Sequence, residues 1–137
     1  MNAVKLRKAL PQKRIIDIEG RRFLLVHSEL TRNFSTEELS DAYAGERADV
    51  VVFGHIHSRT LVTKNECLYI NPGSLGISKC GLGSFAVLSL KDTGGIEVDF
   101  KTISWDRDLL RKDFEQKAIP KKESILHDFF GFPEQPS

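Results

Sequence analysis

Apolar residues recur along this chain in two rhythms. Up to Ile103 they come in short runs separated by turn residues, and after Ser104 they recur at helical spacing. Arg14 to Glu19 alternates loosely around Ile15, Ile16 and Ile18. Glu19-Gly20 is a turn signal, and Arg21–Val26 is a second apolar run, so the pair predicts a β-hairpin. Ser35-Thr36-Glu37-Glu38 predicts a helix start, with Ser35 as the cap and Glu38 completing a capping box. Leu39, Ala42 and Tyr43 supply its apolar stripe, and Gly45 is its expected stop. Val50-Val51-Val52-Phe53 is uninterrupted, as expected of a buried strand, and Gly54 ends it and lets the chain turn.

A helix between two strands is a β-α-β crossover, which makes its strands parallel neighbours. His27 follows the first strand, and Gly54-His55-Ile56-His57 follows the second. The pattern therefore places His27 and His55 along one sheet edge, at the carboxyl ends where open α/β sheets bind ligands. His55 and His57, spaced i, i+2, point to the same side if the backbone there is extended.

Beyond His57 the runs Thr60–Thr63, Leu68–Ile70, Ser84–Leu90 and Ile96–Ile103 predict an antiparallel meander. Lys64-Asn65-Glu66, Asn71-Pro72-Gly73-Ser74 and Thr93-Gly94-Gly95 separate them. Asn71 to Ser74 is a plain β-turn or an element belonging to a site. From Ser104, a candidate cap, Leu109, Leu110 and Phe114 form a helical stripe that Pro120 ends. Glu123–Phe130 is a second helix stopped by Gly131, with Phe129, Phe130 and Phe132 as packing anchors. The 137 residues read as one domain: a leader over 1–13, which is a short helix or an ordered lead-in, a sheet region over 14–103, and a helical tail over 104–137 whose last residues fray.

Composition narrows the partners. A formal net charge of +1 gives no footprint for nucleic acid or an acidic membrane surface. No apolar run approaches the roughly 20 residues that cross a bilayer, and residues 1–14 do not read as a secretory signal. Cys67 and Cys80 are too few for a disulfide framework, which points to a reducing, cytoplasmic setting.

Imidazole is the commonest metal-binding side chain. His55-x-His57 is therefore half of a metal site or two histidines of a surface loop, and His27 at the end of a neighbouring strand favours the former. His127, alone in the terminal helix, reads as structural or exposed. Ser28 and Ser74 lack the Gly-x-Ser-x-Gly elbow of a nucleophilic serine. Gly81-Leu82-Gly83 is too short for a dinucleotide loop and precedes a strand.

Three stretches together carry a resemblance: Phe23-Leu24-Leu25-Val26-His27, Val51-Val52-Phe53-Gly54-His55-Ile56-His57, and Tyr69-Ile70-Asn71-Pro72-Gly73-Ser74. In order and spacing, over about 14–103, they resemble the carboxy-terminal half of a calcineurin-like metallophosphoesterase of the small bacterial and archaeal phosphodiesterase branch. The Trp105-Asp106 tail, with a helix, a Pro and a second short helix, resembles tails of that branch.

The resemblance implies an α/β fold, a metallophosphatase-like sandwich of two mixed sheets with outer helices, here incomplete. It implies a hydrolase in which two divalent metal ions activate water against a phosphodiester or phosphomonoester. His27 and His55 match ligands of one ion and His57 a ligand of the other, while Asn71, Pro72, Gly73 and Ser74 match a structural turn beside the site. Manganese is the expected ion, with Fe, Ni, Co or Zn as alternatives.

The family's Asp-x-His, Gly-Asp-x-x-Asp and Gly-Asn-His or Gly-Asn-Cys stretches do not occur here. Asp17, Asp41 and Asp49 do not replace them, and Ser28 stands where the family has Gly. Three neutral imidazoles set no negative charge against two dications. The chain alone is expected to bind one metal weakly, if any, and to turn over little or nothing. It is expected to be a fragment, a product completed by an amino-terminal half, or a degenerate binding module, as the retromer subunit of this fold is a scaffold. An incomplete sheet also leaves edges that favour homo-oligomers.

Overall fold

The computed structural model describes residues 11–27 and 35–133. The chain divides into two compact units, Met1–Pro72 and Gly73–Ser137.

The first unit is a five-stranded mixed sheet of order β1-β2-β3-β5-β4. β1 (Lys13–Ile18) and β2 (Arg21–Val26) form the expected hairpin. Glu19 and Gly20 both take positive φ (49° and 76°), as a type I′ turn demands at its two central positions. β2 pairs in parallel with β3 (Val50–Phe53), in the register Leu24↔Val51 and Val26↔Phe53. The predicted crossover is therefore present. Its helix α1 (Thr36–Tyr43) is capped by Ser35, whose Oγ accepts from the Glu38 N–H at 3.2 Å. Glu38 Oε2 has no hydrogen-bond partner among the described residues, so that oxygen does not close the capping box. A 3₁₀ turn (Ala44–Glu46) follows the helix, and Arg47, at φ 50°, rather than Gly45, takes the left-handed position.

The later strands correct the meander. β4 (Arg59–Lys64) and β5 (Cys67–Pro72) do pair antiparallel, around a second two-residue turn with Asn65 and Glu66 at positive φ. However, β5 inserts beside β3 in parallel, with Val52↔Ile70, and leaves β4 at the edge. Asn71 and Pro72 are accordingly strand residues, paired with Thr60 and Arg59, and not the start of a free turn.

The core lies on one face of the three central strands. Leu24, Val26, Val51, Phe53, Cys67 and Tyr69 cluster there with Leu39 of α1, and Tyr43 and Ala48 pack against them. Central strands buried on both faces account for the unbroken apolar run of β3: Phe23, Val50 and Ile70 on the opposite face are buried as well. The edge strands differ. Ile18 on β1 is 42% exposed and Leu61 on β4 is 47% exposed.

The second unit contains the antiparallel ribbon of β6 (Leu82–Leu90) and β7 (Ile96–Ser104), then α2 (Arg107–Gln116) and α3 (Lys122–Phe130). Ser104 is the last residue of β7, opposite Leu82, so it cannot cap the helix; Asp106 does, accepting from the Asp108 and Leu109 N–H groups. α2 stops at Gln116, before Pro120. Gly131, at φ 65°, ends α3 as expected, donating to the His127 carbonyl. Arg107 donates to the carbonyls of Lys79, Phe130 and Gly131, a cation at the negative end of a helix. Phe132 is buried and Phe130 packs edge-on against Trp105 and Phe114, but Phe129 is 44% exposed. Leu109, 64% exposed, also leaves the expected stripe.

Candidate metal site

The site is built where β2 and β3 end together. Past the last paired residues, the Gly54 N–H still donates to the Val26 carbonyl at 3.2 Å, which extends the parallel ladder by one step. His27 and His55 leave the sheet at this rim. Their rings meet edge-on, with centroids 5.2 Å apart and planes at 78°. Both residues are exposed. The expected juxtaposition of His27 with His55 is thus present.

The reason for Gly54 differs from the expectation. Gly54 is not among the glycines with positive φ; the left-handed residue is His55, at φ 81°. A non-glycine residue held there stores strain of about 1–3 kcal/mol. What Gly54 provides is space. A Cβ at position 54 would stand 3.3 Å from Cδ2 of His27, so the missing side chain admits the imidazole.

His57 is not placed by strand alternation, because the strand stops at Phe53 and residues 55 and 56 form a bend. The segment is held from below. Asn71, fully buried in β5, donates from Nδ2 to the Ile56 carbonyl at 2.7 Å. Sequence reasoning placed Asn71 in a turn and missed this bond; an Asn within an otherwise apolar strand run was the available signal.

Among the described residues, no group of three or more His, Cys, Asp or Glu side chains converges as a metal site. His57 is exposed and forms no such group with His27 and His55. The aspartates lie elsewhere. Asp49 precedes β3 at its opposite end, where its Oδ2 accepts from the Arg22 N–H at 2.7 Å and its Oδ1 lies 3.7 Å from Arg21. Asp17 on β1 ion-pairs with Arg22 at 3.5 Å, and Asp41 is an exposed residue of α1. His127 lies exposed on α3, 3.1 Å from Asp128 Oδ1. Ser28 lies outside the described residues. In the second unit, Gly73 takes φ 83° and Ser74 Oγ accepts from the Ile77 N–H, a local bond that gives no sign of a nucleophile.

Two imidazoles on adjacent strand ends could serve as nitrogen donors to one divalent ion. They do not suffice for a pair of ions, which needs carboxylate charge at the same rim.

The family model of the calcineurin-like phosphoesterase superfamily domain matches residues 1–93. No curated protein matches the chain. Among solved structures, the solution structure of Thermotoga maritima protein TM1076 is similar at 27% identity and a TM-score of 0.53, over 75% of this chain and 61% of that one. Protein PH1004 from Pyrococcus horikoshii shares the fold at a TM-score of 0.69 and 14% identity, over 93% of this chain and 54% of its own. Entamoeba histolytica Vps29, solved with Zn²⁺, shares it at a TM-score of 0.51 and 18% identity, over 66% and 60%. This chain thus spans 54–61% of the length of these structures. The family match covers the hairpin, the crossover and the histidine rim, and with it the chain belongs to the calcineurin-like phosphoesterase superfamily.

Proposed function

We propose that this chain is the histidine-bearing portion of a metal-dependent phosphoesterase that hydrolyses a phosphodiester or a small phosphomonoester. The observation that carries the reading is the meeting of His27 and His55 on adjacent parallel strand ends. Both are proposed as neutral nitrogen donors to one ion, and His57 as a donor to a second. The chemistry such ions supply is acidification of water and neutralisation of phosphoryl charge. The residues of this chain hold and orient; Gly54 gives His27 its place, and Asn71 supports the loop that carries His55 and His57. Manganese remains the proposed ion, with zinc supported by the Zn²⁺ bound in the similar Vps29. A reducing, cytoplasmic compartment is proposed with it, since Cys67 and Cys80 are both free thiols; no described helix is long and apolar enough to cross a membrane.

A second reading, a binding module of the same fold, is favoured by one observation: no carboxylate joins the imidazoles among the described residues. Hydrolysis of bis-p-nitrophenyl phosphate with added Mn²⁺ separates the two. The chain alone is expected to give little turnover. Turnover that EDTA abolishes is expected once a polypeptide carrying the family's Asp-bearing half is added. Metal uptake without turnover in the complemented form selects the binding module, and neither uptake nor turnover rejects the enzyme.

The edge strands bear on partners. Exposed Ile15 and Ile18 on β1, and Leu61 and Val62 on β4, support association with a second copy or with that complementing half. Light scattering after size exclusion is expected to give more than the monomer mass of 15.5 kDa. A clean monomer that also fails to take up the complementing half contradicts association.

A further inference from the structure

We infer that Asn71 is a positioning residue for the metal-binding loop: through the Ile56 carbonyl it fixes the conformation in which His55 and His57 are presented. The inference rests on the metal reading above for its consequence, but its geometry stands independently.

The topology creates the need. β5 lies between β3 and β4, so the connection over residues 54–58 steps across the carboxyl end of β5. Asn71 is the β5 residue at that crossing. The register Val52↔Ile70 puts it level with Phe53 at the exit of β3, and it is paired with Thr60 at the entry of β4. Both ends of the loop are thus anchored to the strand that carries Asn71, and its side chain takes hold of the middle. The 2.7 Å bond from Nδ2 joins residues fifteen apart in sequence.

The chemistry selects the residue. Ile56 offers a carbonyl, which needs a donor, and a buried amide that donates there leaves neither group unpaired. An Asp at 71 has the same shape but turns acceptor oxygens toward an acceptor, and an apolar residue leaves the carbonyl unmet. The anchored residue is the one between the two histidines, and His55 beside it holds φ 81°, a conformation that persists only where the surroundings enforce it. Loss of the Ile56 anchor therefore acts on both imidazoles at once, while the sheet keeps its backbone ladder.

Asn71→Asp is the test, with Asn71→Ser as the second variant because a shorter side chain leaves room for water and threatens folding less. Amide exchange of the metal-free chain is expected to rise at least about tenfold at residues 55–58 in both variants, with Leu24 and Val51 in the core unchanged. Calorimetric titration with Zn²⁺ alone is expected to show about tenfold weaker binding, at the low end of the effect of residues that orient ligands. A purely structural role predicts faster exchange throughout the sheet and no selective change at the loop, which overturns the inference. Unchanged exchange at 55–58 also overturns it, as does faster exchange with unaltered Zn²⁺ affinity. If the unsubstituted chain takes up no Zn²⁺, the titration is repeated with the Asp-bearing half added; no uptake there either rejects the metal reading, and exchange alone then decides whether Asn71 holds the loop. If Asn71→Asp does not fold, Asn71→Ser decides.

Discussion

Gly83→Ala is expected to destabilise the second unit by about 3 kcal/mol, the upper part of the range for forced overpacking. A Cβ at this position would lie 2.2 Å from the Leu75 carbonyl oxygen and 3.2 Å from Ile103 Cγ2. The obstacle is backbone, which no rotamer change removes. The Leu75 segment is itself tied down, because the Ser84 N–H donates to the Ser74 carbonyl at 2.8 Å. Relief requires breaking that bond or pulling Gly83 away from Ile103, its partner on β7. Trp105 follows β7 directly and is the only Trp in the chain, so its fluorescence reports on this unit. Gly76→Ala, in the same unit, is the control: a Cβ there meets nothing within 4 Å, and Gly76 is not among the positive-φ glycines. Urea midpoints that shift equally in the two variants contradict the packing argument.

The same glycine shows where sequence reading stops. Gly81-Leu82-Gly83 was readable as something other than a dinucleotide loop, because a strand follows it. Why each glycine is there was not readable: Gly81 takes φ 76°, and Gly83 admits a neighbouring carbonyl. Much of the local order was legible, although the caps and stops at Ser104 and Gly45 were not. Alternation gave β1 and β2, the unbroken run gave β3, Ser35 marked the helix start, and turn residues marked both tight hairpins of the first unit. These depend on neighbours in sequence. Strand order does not, and nothing in Cys67–Pro72 announces that it slips between β3 and β4 instead of continuing a meander.

Candidate chemistry divides along the same line. The meeting of His27 with His55 followed from one crossover, a local inference. Asp17, Asp41 and Asp49 lie away from the histidine rim among the described residues. Two of them brace arginines near the hairpin turn, at the end of β2 opposite the histidines. Strand alternation does not reach His57, because the strand ends at Phe53 and His55 turns the chain through a positive φ.

At the rim itself, four substitutions are expected to separate ligand from support. His27→Ala and His55→Ala should each weaken Zn²⁺ binding on the order of a hundredfold, at least as much as the loss of an orienting neighbour. Gly54→Ala should weaken it about tenfold with the fold intact. Its backbone conformation is open to alanine, and the new methyl meets only the edge of the His27 ring, at 3.3 Å. The ring must shift by a few tenths of an ångström, enough to disturb a directional nitrogen–metal bond but too little to disturb a core that lies beneath it. His57→Ala should change the first binding event least, since no donor group of three includes it among the described residues. Calorimetric titration of the four variants beside the unsubstituted chain gives the order directly. Equal affinities throughout would make the paired imidazoles an accident of a surface loop. A loss confined to His57→Ala would move the first ion away from the β2–β3 rim and onto the loop that Asn71 holds.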